Sequence, residues 1–300
     1  MATLTVFTPT YNRAYILPES YKTLCRQTCK DFVWLIVDDG STDNTCQLVQ
    51  KWMKENIIEI EYIRTGNKGK PSATNLSIEK CDTPLWVCLD SDDYLSVNAV
   101  EYIVQDYSKI EKESKIGGII GNMFNKDNTI FDDRKLPEEK RVIRELDIRY
   151  HYGVFANLVR VYKTELLKGY RYPIIKNEKF IGESYLYERI NALFLIERRP
   201  LYYAEYRTDG LTARYLQLHV ENPIGYKLLK QQMMGLNISI YHRFRAAIMY
   251  VAACMLCKEK KVITNSGHIP LVLMAYPFGL IAYCKKYKRL CDKNRNAGGS

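Results

Sequence analysis

An α/β fold, a mostly parallel sheet with helices on both faces, is predicted by three observations. Short apolar runs alternate with helix-spaced ones four times in the first 110 residues: Leu4 to Phe7, Phe32 to Val37, Ile57 to Arg64 and Leu85 to Leu89. Each apolar run stops abruptly at a polar loop, and two of these stops are acidic, Asp38-Asp39 and Asp90-Ser-Asp-Asp93. Continuous apolar runs of this length read as buried parallel strands. The repeated β-loop-α order makes the crossovers right-handed and sends every polar loop to the carboxyl edge, where such sheets bind ligands.

The elements follow in order. After the first strand comes Thr8-Pro-Thr-Tyr-Asn-Arg13, a polar loop that Pro9 enters with fixed φ. Pro18 suits the first turn of a helix, and Leu17, Tyr21 and Leu24 continue it. The second strand ends at Asp38-Asp39. Gly40 then turns the chain into Ser41, Thr42 and Asp43, all capping residues, before an amphipathic run from Cys46 to Met53. The third strand ends in Thr65-Gly-Asn-Lys-Gly-Lys70, with a helix expected over Ser72 to Lys80, and the fourth ends in the second acidic cluster, with a helix over Val97 to Ile110.

Beyond residue 110 the pattern is mixed. Ile116 to Met123 has strand character, Asp127 to Arg149 is a charged, irregular insertion, and Leu158 to Lys163 reads as an edge strand. Glu183 to Phe194 has helical spacing, and Leu201 to Tyr206 reads as a strand. Past Asn222-Pro223 the chain becomes helical and apolar. Ile269 to Cys284 is 16 uncharged residues, shorter than the roughly 20 a bilayer span needs. The expected division is a catalytic domain over 1–222, with a nucleotide-binding half of about 1–110 and an acceptor half of about 111–222, followed by a basic amphipathic helical tail over 223–300.

Hydrophobic content of 47% and charged content of 26% place the chain among globular proteins. The net charge of +10 is carried by the tail: 13 Lys/Arg and only 2 acids, Glu259 and Asp292, lie from Tyr226 onward. A basic tail implies an anionic partner. Interleaved aromatics on a strand platform are missing, which excludes nucleic acid and leaves an anionic membrane surface against 226–300. Nine scattered cysteines and no leader-like start read as a cytoplasmic chain with free thiols, peripheral on the inner face of the cell membrane. Cys254-x-x-Cys257 has no second pair and reads as buried small residues rather than a zinc site.

Carboxylates gathered at one sheet edge repel one another unless a cation or hydrogen-bond donors sit among them. With no Cys or His nearby in sequence, hard oxygen ligands favour Mg²⁺ or Mn²⁺, which keep positions open for phosphate oxygens.

Four motifs, ordered and each at a strand end, carry a resemblance to the inverting family 2 glycosyltransferases of the GT-A fold, of the bacterial polysaccharide-assembly type. Thr8 to Arg13 resembles the family's first nucleotide loop, and Val37-Asp-Asp-Gly-Ser-Thr-Asp-Asn-Thr45 its second. Gly66 to Asn75 is similar to its Gly-rich loop and helix, and Leu89-Asp-Ser-Asp-Asp93 to its DxD motif. The resemblance spans roughly the first 215 residues. It implies a metal-dependent enzyme moving a sugar from a nucleotide-diphosphate sugar, expected to be a UDP-sugar, to an acceptor hydroxyl on a glycan or lipid-linked glycan.

By that resemblance Asp39, with Pro9 and Tyr11, holds the base, and Lys70 lies near the nucleotide. Asp90 and Asp92 hold ribose and metal, with Asp92 the direct ligand, and Asp93 contacts sugar or orients a partner. Lys179-Phe-Ile-Gly-Glu-Ser-Tyr185 stands where the family has its base, often a Glu-Asp pair. Glu183 matches the first acid, while Ser184 replaces the second. Glu183 is the expected base, with Glu188 behind it; the competing role is a helix cap. Arg207 and Arg214, in a loop resembling one that closes over the donor, are expected to grip the diphosphate by forked hydrogen bonds. Two alternatives stay open. A sugar-phosphate nucleotidyltransferase would want a glycine-rich loop after the first strand, which Thr8 to Arg13 lacks. A non-catalytic nucleotide-sugar-binding homologue would account for Ser184.

Overall fold

The computed structural model describes residues 2–132, 134–155, 157–205 and 214–297, with side chains as far as 292. It falls into two compact units. The first is Met1–Arg171 with Ile190–Glu205, and the second is Tyr172–Arg189 with Tyr206–Ser300. The expected boundary at residue 222 falls inside the second unit.

In the first unit, strands β1 (Leu4–Thr10), β2 (Phe32–Asp38), β3 (Ile60–Arg64) and β4 (Leu85–Cys88) alternate with helices α1 (Leu17–Cys25), α2 (Thr45–Glu55), α3 (Lys70–Lys80) and α4 (Ala99–Ile110). Further along lie β5 (Tyr94–Leu95), β6 (Ile116–Phe124), β7 (Val142–Arg144), α5 (Glu145–Tyr150), β8 (Leu158–Lys163), α6 (Thr164–Lys168) and β9 (Leu193–Tyr203). The strands form one sheet in the order β3-β2-β1-β4-β8-β6-β9-β5, with β7 paired to β9. Its first four strands are wholly parallel, as the repeated crossovers require, while β8 runs antiparallel to both β4 and β6. The class is α/β, with a mixed sheet whose first half is parallel.

Burial explains the strand choice. Every residue of β2 is buried, and Trp34 on it stacks with Tyr21 of α1 and Trp52 of α2 at ring separations of 5.8–6.1 Å. Elsewhere in the sheet Phe7 stacks on Trp86 at 5.6 Å, and the Trp86 indole N–H donates to Ser77 of α3 at 3.1 Å.

Four sequence expectations are corrected. β1 runs on through Pro9 to Thr10, because past Phe7 it is paired only to β2, so a residue without an N–H is tolerated there. β8 is interior rather than an edge. Its one charged central residue, Arg160, is neutralised by a two-pronged pair with Glu145 at 2.8 and 2.9 Å. The tight β6–β8 contact needs glycine: a Cβ on Gly118 would lie 2.0 Å from the Val161 carbonyl oxygen. The expected helix over Glu183 to Phe194 stops at Ile190, and the chain extends from Leu193 as β9, well before the expected start at Leu201. The insertion is not wholly irregular, since it contains β7 and α5.

The second unit holds α7 (Ser184–Ile190), α8 (Tyr215–Glu221), α9 (Pro223–Gly235), α10 (Ile240–Leu256), α11 (Ile269–Lys286) and α12 (Lys288–Ala297). The segment before α7 is bound to the start of α9. Asn222 accepts from the backbone N–H of Lys179 and Phe180 at 2.8 and 3.0 Å, and Glu178 accepts from Ile224 and Gly225 at 2.8 and 2.7 Å. His219 is buried, stacked on Tyr226 at 3.7 Å and within 3.0 Å of the Tyr287 hydroxyl. Burial first, then Lys230 and Lys286, pushes its pKa down to about 3.

Candidate active site

The parallel half of the sheet brings three of the motif loops together through hydrogen bonds. Asn12, at φ 53°, takes the left-handed conformation that Asn tolerates better than most residues. Its side-chain oxygen accepts from Thr42 N–H at 2.7 Å and its own N–H donates to Ser41 Oγ at 2.8 Å, so the loop after β1 is sewn to the loop after β2. Gly40 sits at φ 84°, where a Cβ would come within 3.1 Å of the Thr65 carbonyl. Asp43 accepts from Ala14 N–H and from Thr45. Burial opposes its charge, but these hydrogen bonds outweigh that and lower its pKa.

Asp38 and Asp39 divide their work. Asp38 is fully buried and accepts from Ser41 N–H at 2.7 Å and from the Tyr62 hydroxyl, so it shapes the turn. Asp39 accepts the N–H groups of Lys68 and Gly69 at 2.8 and 2.7 Å, which clamps the Gly-rich loop after β3 onto the end of β2. Gly69, at φ 87°, is the bend from which α3 starts. Lys70, the first residue of α3, then places its ammonium 2.6 Å from Asp90.

At the end of β4 the acid cluster has three environments. Asp90 is ion-paired to Lys70 at 2.6 Å. Asp93 accepts from the Tyr202 hydroxyl at 2.8 Å. Burial first, then repulsion from Asp90 and Asp92, pushes Asp93 up to about 8 against the pull of Tyr202. Tyr202 is itself buried, and burial holds its phenol well above its ordinary pKa, so it stays a donor. Asp92 is half-buried, and no partner among the described residues engages its carboxylate.

Among the described residues no group of three or more His, Cys, Asp or Glu is arranged to hold a metal unaided. A Mg²⁺ or Mn²⁺ that takes one carboxylate and keeps its other positions for phosphate oxygens and water fits Asp92.

Seven expected site residues, Pro9, Tyr11, Asp39, Lys70, Asp90, Asp92 and Asp93, therefore lie on strand ends, in the loops that follow them or, for Lys70, at the start of α3, at the same edge of the first unit. Tyr11 is 44% exposed, open to a stacking ligand. Arg214 lies in the second unit, exposed and paired with Glu221 at 3.0 Å. Arg207 lies outside the described residues. Glu183 also belongs to the second unit. Its carbonyl accepts from Leu186 N–H at 3.0 Å and opens α7, while its side chain is exposed. Glu188 is buried. Sequence reasoning missed Asn12, Tyr62 and Tyr202. Of these, only Asn12 carried a local signal, an Asn at the tip of a loop.

The sequence model described as "Glycosyl transferase family 2" matches residues 5–170, more than half of the chain. The chain belongs to this family. Its relatives include the chondroitin synthase of Escherichia coli, 32% identical over 106 residues, or 35% of this chain and 15% of the synthase. Across four curated relatives the chain spans 15% to 40% of their own length. The fold is similar to that of Staphylococcus aureus TarS 1–349, solved with UDP-GlcNAc (TM-score 0.57, 17% identity, 92% of this chain and 79% of that one). It is also similar to the mannosyltransferase PcManGT of Pyrobaculum calidifontis, solved with GDP-Man and Mn²⁺ (TM-score 0.53, 16% identity, 93% and 87%).

Proposed function

We propose that this chain is an inverting, metal-dependent glycosyltransferase. It moves a sugar from a nucleotide-diphosphate sugar, a UDP-sugar on this reading, to a hydroxyl of a lipid-linked glycan in surface polysaccharide synthesis. The supporting observation is the Lys70–Asp90 pair at 2.6 Å, which joins the Gly-rich loop to the acid cluster at the sheet edge. The complexes of TarS with UDP-GlcNAc and of PcManGT with GDP-Man and Mn²⁺ are in keeping with this donor class.

In this mechanism Tyr11 stacks on the base, and Asp39, besides clamping the loop, accepts from it through a remaining lone pair. Lys70 turns from Asp90 toward the diphosphate. Asp92 would hold the divalent ion, which would supply positive charge to neutralise the departing diphosphate. The acceptor oxygen attacks the anomeric carbon as the bond to the diphosphate oxygen breaks, and the bonding pair leaves with the nucleotide. Glu183 takes the proton of the acceptor hydroxyl. Arg207 and Arg214 grip the diphosphate, which requires Arg214 to leave Glu221.

The helices of 226–300, with their basic excess, are proposed to keep the enzyme at the cytoplasmic face of the membrane. No helix among the described residues is long and apolar enough to cross it. A thermal-shift screen of nucleotide sugars with Mn²⁺ tests the donor class: UDP-sugars raise the melting temperature, and a screen in which none does so contradicts the reading.

A further inference from the structure

Helix α11 is built inside out for a helix of a soluble protein. Its small residues face α10: Ala275 and Gly279 are buried, and a Cβ on Gly279 would lie 2.4 Å from Val251 and 2.9 Å from the Ile248 carbonyl oxygen. That close approach fixes the rotation of the helix and turns its bulky side chains outward. Leu273, Met274, Phe278 and Ile281 are 52%, 68%, 52% and 53% exposed, at the i, i+4 and i, i+7 spacing of a single stripe. A helix apolar on every side is ordinarily buried. This one leaves a continuous apolar face uncovered, and it carries no acid along its length.

The basic residues follow at one end. Lys285 and Lys286 close α11, Lys288 and Arg289 open α12, and all four are exposed. An apolar stripe of about 12 Å between Leu273 and Ile281, from 1.5 Å per residue, followed by four cations is the pattern of a helix lying in a lipid interface. Its side chains enter the acyl boundary and its cations meet anionic headgroups. A soluble protein partner or a second copy would cover the stripe equally well, but neither accounts for the run of cations beside it.

We infer that the outward face of α11 is the membrane-docking surface, and that its ligand is an anionic phospholipid bilayer. The inference rests on the proposed peripheral attachment but not on the transfer chemistry.

The test is flotation of the full chain with vesicles of phosphatidylcholine, with and without about a third phosphatidylglycerol. Wild type floats only with the anionic vesicles and is released by high salt. Leu273→Glu/Ile281→Glu and Lys285→Glu/Lys286→Glu each lower the bound fraction about tenfold, with the melting temperature held. Should the first variant fold poorly, Leu273→Ser/Ile281→Ser replaces it. Equal flotation of the apolar variant overturns the assignment, as does absence of wild-type flotation. So does a lipid-free dimer in light scattering that the apolar variant dissociates, which would make the face a self-interface. Donor-induced thermal shift on the same samples reads the transferase separately, so loss of one does not imply loss of the other.

Discussion

The Tyr202 hydroxyl donates to a carboxyl oxygen of Asp93 at 2.8 Å while it accepts from the Asp90 backbone N–H at 3.0 Å. One buried side chain on β9 thus holds both ends of the acid cluster, and Asp92 is suspended between them. The position of Asp92 depends on a residue 110 places away in sequence.

Tyr202→Phe keeps the ring and removes both bonds. Leaving the buried Asp93 carboxyl and the Asp90 N–H without this partner should cost about 1–3 kcal/mol in urea denaturation. Because Asp92 is displaced rather than removed, donor KM should rise more than kcat falls. A variant with native stability and native KM would show that the bridge positions nothing.

Lys70→Met frees Asp90 and removes a cation from the proposed diphosphate site. Losing a charge-assisted contact with phosphate should weaken donor binding by roughly 10- to 100-fold. Titration calorimetry with a nucleotide sugar measures this. Unchanged affinity would leave Lys70 as a structural partner of Asp90 alone.

Asp39→Asn is the contrasting case. The amide keeps one acceptor oxygen where the carboxylate offers two, so one of the N–H groups of Lys68 and Gly69 loses its partner. Stability should fall by about 1–2 kcal/mol, and donor affinity with it, because the Gly-rich loop is no longer clamped. If affinity drops with no change in stability, Asp39 serves only the ligand and the clamp counts for little.

His219 gives the second unit a pH signature. Its pKa falls from 6.5 to about 3 on folding because it is buried beside Lys230 and Lys286. Between those values the unfolded chain binds a proton that the folded chain does not. The stability it contributes is complete above pH 6.5 and is lost as pH falls toward 3, with a slope approaching about 1.4 kcal/mol per pH unit. Denaturation from pH 4 to 7 should show that slope in wild type and a shallower one in His219→Asn. Parallel slopes would mean that His219 is not buried neutral.

The parallel half of the sheet was legible because its strands are uniformly apolar and their loops carry motif residues at short range. The rest hid for identifiable reasons. β8 looked like an edge because Arg160 interrupts it, and the Glu145 that neutralises that charge comes from the irregular insertion. β9 was concealed behind helical spacing that persists past Ile190 to Phe194. Tyr202 could not be read as a site residue, since nothing in Leu201 to Tyr206 shows which loop its hydroxyl meets. Glu183 matched its motif, yet its opening of α7 is equally what a capping position does. Glu183→Gln separates the two: transfer is abolished with donor binding retained if it is the base, and near-normal turnover removes it from that role.

The central claim is that Asp92 and its sheet edge activate a nucleotide sugar. Release of nucleoside diphosphate from a UDP-sugar, with Mn²⁺ and without acceptor, tests it most directly. The account predicts slow release by wild type that chelation stops and Asp92→Asn abolishes while the protein stays folded. Equal release by Asp92→Asn, or none by wild type with any nucleotide sugar, would contradict it.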